Sequence, residues 1–181
     1  MTWKEELIKY ENSRDWESAI ELMKDVISID SSSSEAYISV IYLLHNLLLE
    51  EQYTGTDREE ISILLKQYFN DSRKRFSENS EYLFFIGKIL YIAEWYFGVD
   101  DDLKPIKERQ AFKMQKKACE IEPNNILFEW GYRFSLGEKL SEKLAEIILK
   151  DDSIVTWLKV RGFHGQYILE SLKTCATRFH K

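Results

Sequence analysis

Proline and glycine are scarce here, at two and seven residues in a chain of 181. Both residues punctuate regular structure, so their scarcity disfavours a turn-dense all-β fold and suits long helices. Cysteine is limited to Cys119 and Cys175 in no recognisable pattern. Neither a disulfide framework nor a C-x-x-C metal motif is written in the chain, and a reducing cytoplasm is the expected setting. The three histidines, His45, His164 and His180, show no H-E-x-x-H or related ligand spacing, which argues against a metal site. The N-terminal stretch MTWKEELIKYENSRDW has no apolar core of signal-peptide type. The apolar runs LLHNLLL and YLFFIG fall well short of a membrane span. A Walker loop, a G-x-G-x-x-G and a G-x-S-x-G are all missing, so nucleotide binding and serine hydrolysis lack their usual sequence support. Positive charge is also the minority: 25 Lys and Arg against 31 Asp and Glu give a net charge of −6. That balance disfavours nucleic acid or an anionic membrane as partner and weakly favours a basic protein.

What the chain does contain is apolar and aromatic. Hydrophobic residues make up 44% and aromatics 14%, too rich for disorder and enough for one domain or a short run of repeats. The most informative stretch is Ala111 to Phe134, AFKMQKKACEIEPNNILFEWGYRF. Ala111 and Ala118 stand seven residues apart on one helical face, small enough for a second helix to approach closely. Pro123 stops that helix, and Asn124-Asn125 supply turn and cap chemistry. Leu127, Trp130, Gly131 and Phe134 then begin a new stripe at three-to-four-residue spacing.

The same grammar recurs elsewhere. Trp3, Leu7 and Tyr10 form a first stripe; Trp16, Ala19, Met23 and Val26 form a second, with Asn12 to Arg14 as the turn. Ala19 and Val26 repeat the seven-residue step, and Ser31 stands where Pro123 stands. Tyr37 follows Trp3 by 34 residues. Leu83, Ile86, Gly87 and Leu90 match the Leu127 stripe after 44 residues, the excess being absorbed by a longer helix through Trp95 and the loop Gly98 to Pro105. Ser32 with Glu35, and Thr56 with Glu59 after the polar turn Gln52 to Asp57, have capping-box spacing. In the second unit the small-residue step is missing.

Small-x6-small, a turn, then an aromatic beside a glycine resembles the tetratricopeptide repeat (TPR). The resemblance implies an all-α fold: a right-handed superhelix of about four antiparallel hairpins. These are expected at about 2–29, 33–77, 80–122 and 125–150 of one domain, 1–181, with capping helices over 153–178, broken at Gly162 to Gly165. Terminal helices of this kind cover the last apolar face of a stack. The first helix of each hairpin would line a concave groove, which places Tyr42, His45 and Asn46, then Phe84, Lys88 and Tyr91, then Phe128 and Tyr132 on that surface. Aromatics with polar tips are what interaction hot spots favour. The other reading of the same residues is packing between helices.

The acidic run Asp100, Asp101 and Asp102 reads as a solvated loop able to meet a basic partner, lacking the alternation of a calcium loop. In whole-chain character the protein also resembles bacterial immunity proteins of contact-dependent growth inhibition systems. That likeness implies a non-enzymatic protein with no cofactor, which binds and neutralises a basic toxin (nuclease) domain in the cytoplasm. The alternative expectation is a TPR adaptor or co-chaperone that takes an extended peptide in its groove. Lys88, Asn46 and Asn125 are then too few for a carboxylate clamp.

Overall fold

We describe the protein from a computed structural model, which covers residues 2–49 and 58–177. Among these residues the regular structure is helical throughout, with ten α-helices. They are α1 (Trp3–Ser13), α2 (Trp16–Ile29), α3 (Ser34–Leu49), α4 (Arg58–Arg75), α5 (Ser80–Ala93), α6 (Gln110–Ile121), α7 (Ile126–Ser135), α8 (Leu140–Leu149), α9 (Asp152–Lys159) and α10 (Gly162–Thr177). None is long and apolar enough to cross a membrane. The turn at Gln52 to Asp57 with its Thr56 cap, the acidic pair Glu50 and Glu51, and His180 lie outside the described residues.

Local chemistry sets the helix ends. Thr2 and Glu5 form a reciprocal capping box at α1, and Arg14 reverses the chain in the left-handed region at φ 56°. Asp15, Asn79, Asn125 and Asp151 each accept backbone N–H groups in the first turn of the next helix. At α3 the cap differs from the sequence expectation. Ser33, not Ser32, accepts the Ala36 N–H, at 3.2 Å, which shifts Glu35 out of capping register and frees its carboxylate for ion pairs. The helix expected to run through Trp95 also stops early: Ala93 leaves helical geometry (φ −157°, ψ 66°), and Glu94–Phe97 continues as a 3-10 turn.

Consecutive helices pack as neighbours from α1 to α4 and again from α5 to α10. Two of them, α3 and α5, are covered almost all round; Tyr82, Phe84, Phe85, Ile38, Ile41, Leu43 and Leu44 expose essentially nothing. The tightest approach is between α5, α6 and α7. Gln115 of α6 is fully buried between two glycines, and its amide donates to the Phe84 carbonyl at 2.6 Å. A Cβ on Gly87 would stand 2.6 Å from the Gln115 amide, and one on Gly131 would stand 2.3 Å from its Oε1. The matched glycines of the two stripes are therefore sites of interhelical contact, and Ala111 closes the same junction with its carbonyl 3.1 Å from a Gly87 Cβ.

The C-terminal pair departs most from expectation. α10 is 16 residues long, begins at Gly162, and includes Gly165 within it, so the break falls at Val160–Arg161. It packs on α8 and α9, as a terminal cap would, but it also reaches α3 and α1. The end of the chain thus returns to the beginning.

Candidate functional site

Charge and aromatic contacts fix this return. Arg161, in the turn between α9 and α10, lies 3.8 Å over the Trp157 ring and forms ion pairs with Glu81 (3.1 Å) and Glu35 (3.6 Å). Glu35 is also paired with Lys4. One guanidinium therefore ties α3 and α5 to the α9–α10 turn, shielded enough that its pairs keep more strength than exposed ones. Next to it, Phe163 donates its backbone N–H to Glu11 at the end of α1. Burial, partly opposed by that hydrogen bond, pushes the Glu11 carboxyl up to about 8. His164 packs edge-on to Phe85 (4.9 Å) and against Tyr42 (5.7 Å); burial first, then Arg161 and Lys4, lowers it to about 3.

This return determines where the groove residues of the sequence reading sit. Tyr42, His45, Phe84, Lys88 and Phe128 are all buried, contrary to an open concave surface. The reason is that α10 and the neighbouring helices occupy the space in front of them. The Tyr42 hydroxyl donates to the Phe85 carbonyl at 2.7 Å. Phe84 stacks with Phe128 at 5.1 Å, and Lys88 lies between the Trp130 and Phe134 rings at 4.4 and 3.9 Å. Tyr91 and Tyr132 are half-buried, Tyr132 against Phe112 at 5.7 Å. Two cavities flank the C-terminal pair. One, about 420 Å³, brings Tyr42, His45 and Asn46 of α3 together with Ile89 and Ile92 of α5 and Phe163 and Tyr167 of α10. The other, about 350 Å³, lies by Asn125 and Phe128 of α7, Glu81 of α5 and Trp157 of α9.

Comparison of this chain with family models, curated proteins and solved structures finds no match. The reading of the site therefore rests on its chemistry alone. No group of three or more His, Cys, Asp or Glu among the described residues is placed to hold a metal ion. Burial, then Glu129, pushes the Cys119 thiol up, away from the thiolate a nucleophile needs. Cys175 is buried with its thiol 3.7 Å from the Ser141 hydroxyl.

The acidic loop divides into two roles. Asp100 and Asp102 are exposed, but Asp101 is buried and structural. Its carboxylate accepts the Gln110 backbone N–H and the Lys104 ammonium, each at 2.5 Å, and so caps the N-terminus of α6 from nine residues away. This corrects the reading of all three aspartates as one solvated patch. Around them the surface is apolar as well as acidic: Trp95 is 63% and Leu103 94% exposed, with Ile106 also outward. Neither Trp95 nor Leu103 was singled out from sequence; Leu103 breaks the polar pattern of its loop, whereas Trp95 stands in an aromatic run with Tyr96 and Phe97. We expect Asp101→Ala to lower stability by about 1–2 kcal/mol in urea titrations, and Asp100→Ala to change it by less than about 0.5 kcal/mol. Equal effects would remove the distinction.

Proposed function

We propose that this chain is a non-enzymatic protein-binding module that neutralises a basic partner, with an immunity protein for a basic toxin domain as the best-supported form. The finer architecture we infer is TPR-like, a right-handed stack of hairpins whose inner face is taken by the chain's own α10. The observation that carries the functional reading is the segment from Glu94 to Glu108. It displays Trp95, Leu103 and Ile106 to solvent beside the exposed Asp100, Asp102 and Glu108, with Lys104 and Lys107 as the minority charge. Large apolar side chains in an acidic surround suit a cationic protein surface: charge steers the encounter, and the aromatic supplies the anchor. The net charge of −6 acts in the same direction. The adaptor alternative receives less support, because an extended peptide in the groove would have to displace α10 together with its Arg161 and Glu11 contacts.

The test is paired affinity capture with the parent chain and an Asp100→Lys/Asp102→Lys variant. Both positions are exposed, so the variant should fold as the parent does. A basic, growth-inhibitory domain held by the parent and released at least tenfold faster by the variant is the expected result. Equal retention of such a domain would remove the acidic segment from the interface, and sole capture of partners without basic domains would overturn the immunity reading.

A further inference from the structure

We propose that the cavity bordered by α5, α7 and α9 is a docking pocket for a lysyl side chain on the surface of the basic protein partner. The pocket rests on the reading of this chain as a binder of such a protein, and adds to the acidic segment a second contact made by different elements. At about 350 Å³ it falls in the range of small-ligand sites. Much of its wall is apolar: Ile154 and Trp157 of α9, both partly exposed, together with the more deeply buried Leu127 and Phe128 of α7. Two carboxylates border it, Glu81 of α5 and the exposed Glu122 just past α6. No lysine, arginine or histidine is among its lining residues.

The charge balance selects the occupant. Lys4 and Arg161 are two cations that serve two carboxylates, Glu35 and Glu81. Glu122 has only neutral partners among the described residues: the Ser80 hydroxyl donates to its Oε1, and the Asn125 amide donates to its Oε2 at 3.1 Å. A negative charge beside an apolar wall is thus left without a counter-charge, and a cation on an apolar stem complements both. Each Glu122 oxygen is already engaged once, so the carboxylate offers no open pair of oxygens to a guanidinium fork. A compact ammonium needs a single remaining lone pair, which favours lysine over arginine. An anion is disfavoured twice. The carboxylates repel it, and the first-turn N–H groups of α7 and α9 that would attract it already donate to Asn125 and Asp151. A plain alkyl chain would fill the space and leave Glu122 uncompensated.

The experiment is an NMR titration of the full chain with acetylated, amidated tripeptides of glycine, a central residue and glycine, the central residue being lysine, arginine or norleucine. The lysine peptide should shift the signals of Leu127, Ile154 and the Trp157 indole. It should bind about five- to tenfold more tightly than the norleucine peptide, by a margin that shrinks at high salt. In Glu122→Gln that preference should vanish while norleucine binding persists. Ser153→Trp, at an exposed rim position that keeps the Asp151 cap on the α9 backbone, should exclude all three peptides, and it covers the case in which the Glu122 variant fails to fold. Absence of shifts at these residues, a lysine preference that survives Glu122→Gln, or unchanged binding in Ser153→Trp would each overturn the pocket. An arginine peptide that binds as tightly as lysine would overturn the choice of an ammonium, and binding of free pentylamine with exclusion of the lysine peptide would overturn the docking role. The titration uses the chain and peptides alone, so its failure is read separately from a capture that finds no basic domain.

Discussion

Stability is expected to peak near pH 6.5 and to fall on both sides, through three buried groups. Burial lowers His45 to about 4 and His164 to about 3, so both stay neutral in the folded chain. The unfolded chain takes up these protons near 6.5. Their contribution is therefore complete above 6.5 and is withdrawn as pH falls toward 4 and 3, by roughly 3 and roughly 5 kcal/mol respectively. Glu11 acts in the opposite sense. Its carboxyl is raised to about 8 by burial, so it stays protonated when folded while the unfolded chain ionises it near 4.5. That contribution is full below 4.5 and is lost as pH rises to about 8. Between 4.5 and 6.5 two histidines outweigh one glutamate and stability climbs; between 6.5 and 8 only the glutamate acts and it declines. Urea midpoints measured from pH 4 to 9 check this, and Glu11→Gln should flatten the alkaline side and steepen the climb between 4.5 and 6.5. A profile level from pH 5 to 8 would show that these groups remain solvated.

Two of the three, Glu11 and His164, sit where α10 meets the rest of the fold, a place that explains how much of this molecule could be read in advance. Helical class, turns and several caps were legible because they depend on neighbours in sequence: Asn125, Asp151 and the Ala111–Ala118 step act within a dozen residues. The second unit lacks its small-residue step in α4, where Ile61, Leu65 and Phe69 fill the buried face, and its first helix shows no stripe for a separate reason. A helix covered on all sides, like α3, needs apolar residues at every position, and a stripe no longer stands out from its background. What was not legible is the return of α10. Arg161, Glu11 and Trp157 carry no local signature of their partners, since Glu35, Glu81 and the end of α1 lie far away along the chain. Tyr42, His45 and Phe84, expected on an open groove, are buried on helices covered on nearly every side. Leu103 carried a local signal, apolar bulk within a polar loop, whereas Trp95 stands in an aromatic run with Tyr96 and Phe97, where only burial shows that it is uncovered.

The contact that seats this return also gives the sharpest test of helix propensity against packing. Gly165 lies inside α10, where glycine is about 1 kcal/mol worse than alanine in a solvated helix, so propensity alone predicts that Gly165→Ala stabilises. Packing predicts the reverse. A Cβ there would lie 1.9 Å from the Leu158 carbonyl oxygen and 2.9 Å from its carbon, and those are backbone atoms of α9 that cannot rotate away. Relief requires α9 and α10 to separate, which we expect to cost about 3 kcal/mol or more, outweighing the propensity gain. Gly137 is the proper comparison: it sits at φ 68° with nothing within 4 Å of a Cβ, so Gly137→Ala should cost only about 1 kcal/mol, from backbone conformation alone. Denaturation of the two variants separates the effects, and hydrogen exchange locates them. In Gly165→Ala the α10 amides should lose protection well before those of α5, because the shifted helix pulls Phe163 from Glu11 and Arg161 from Glu81. A Gly165→Ala chain as stable as its parent would mean that α9 and α10 part at little cost, and that the inner face is open to other occupants.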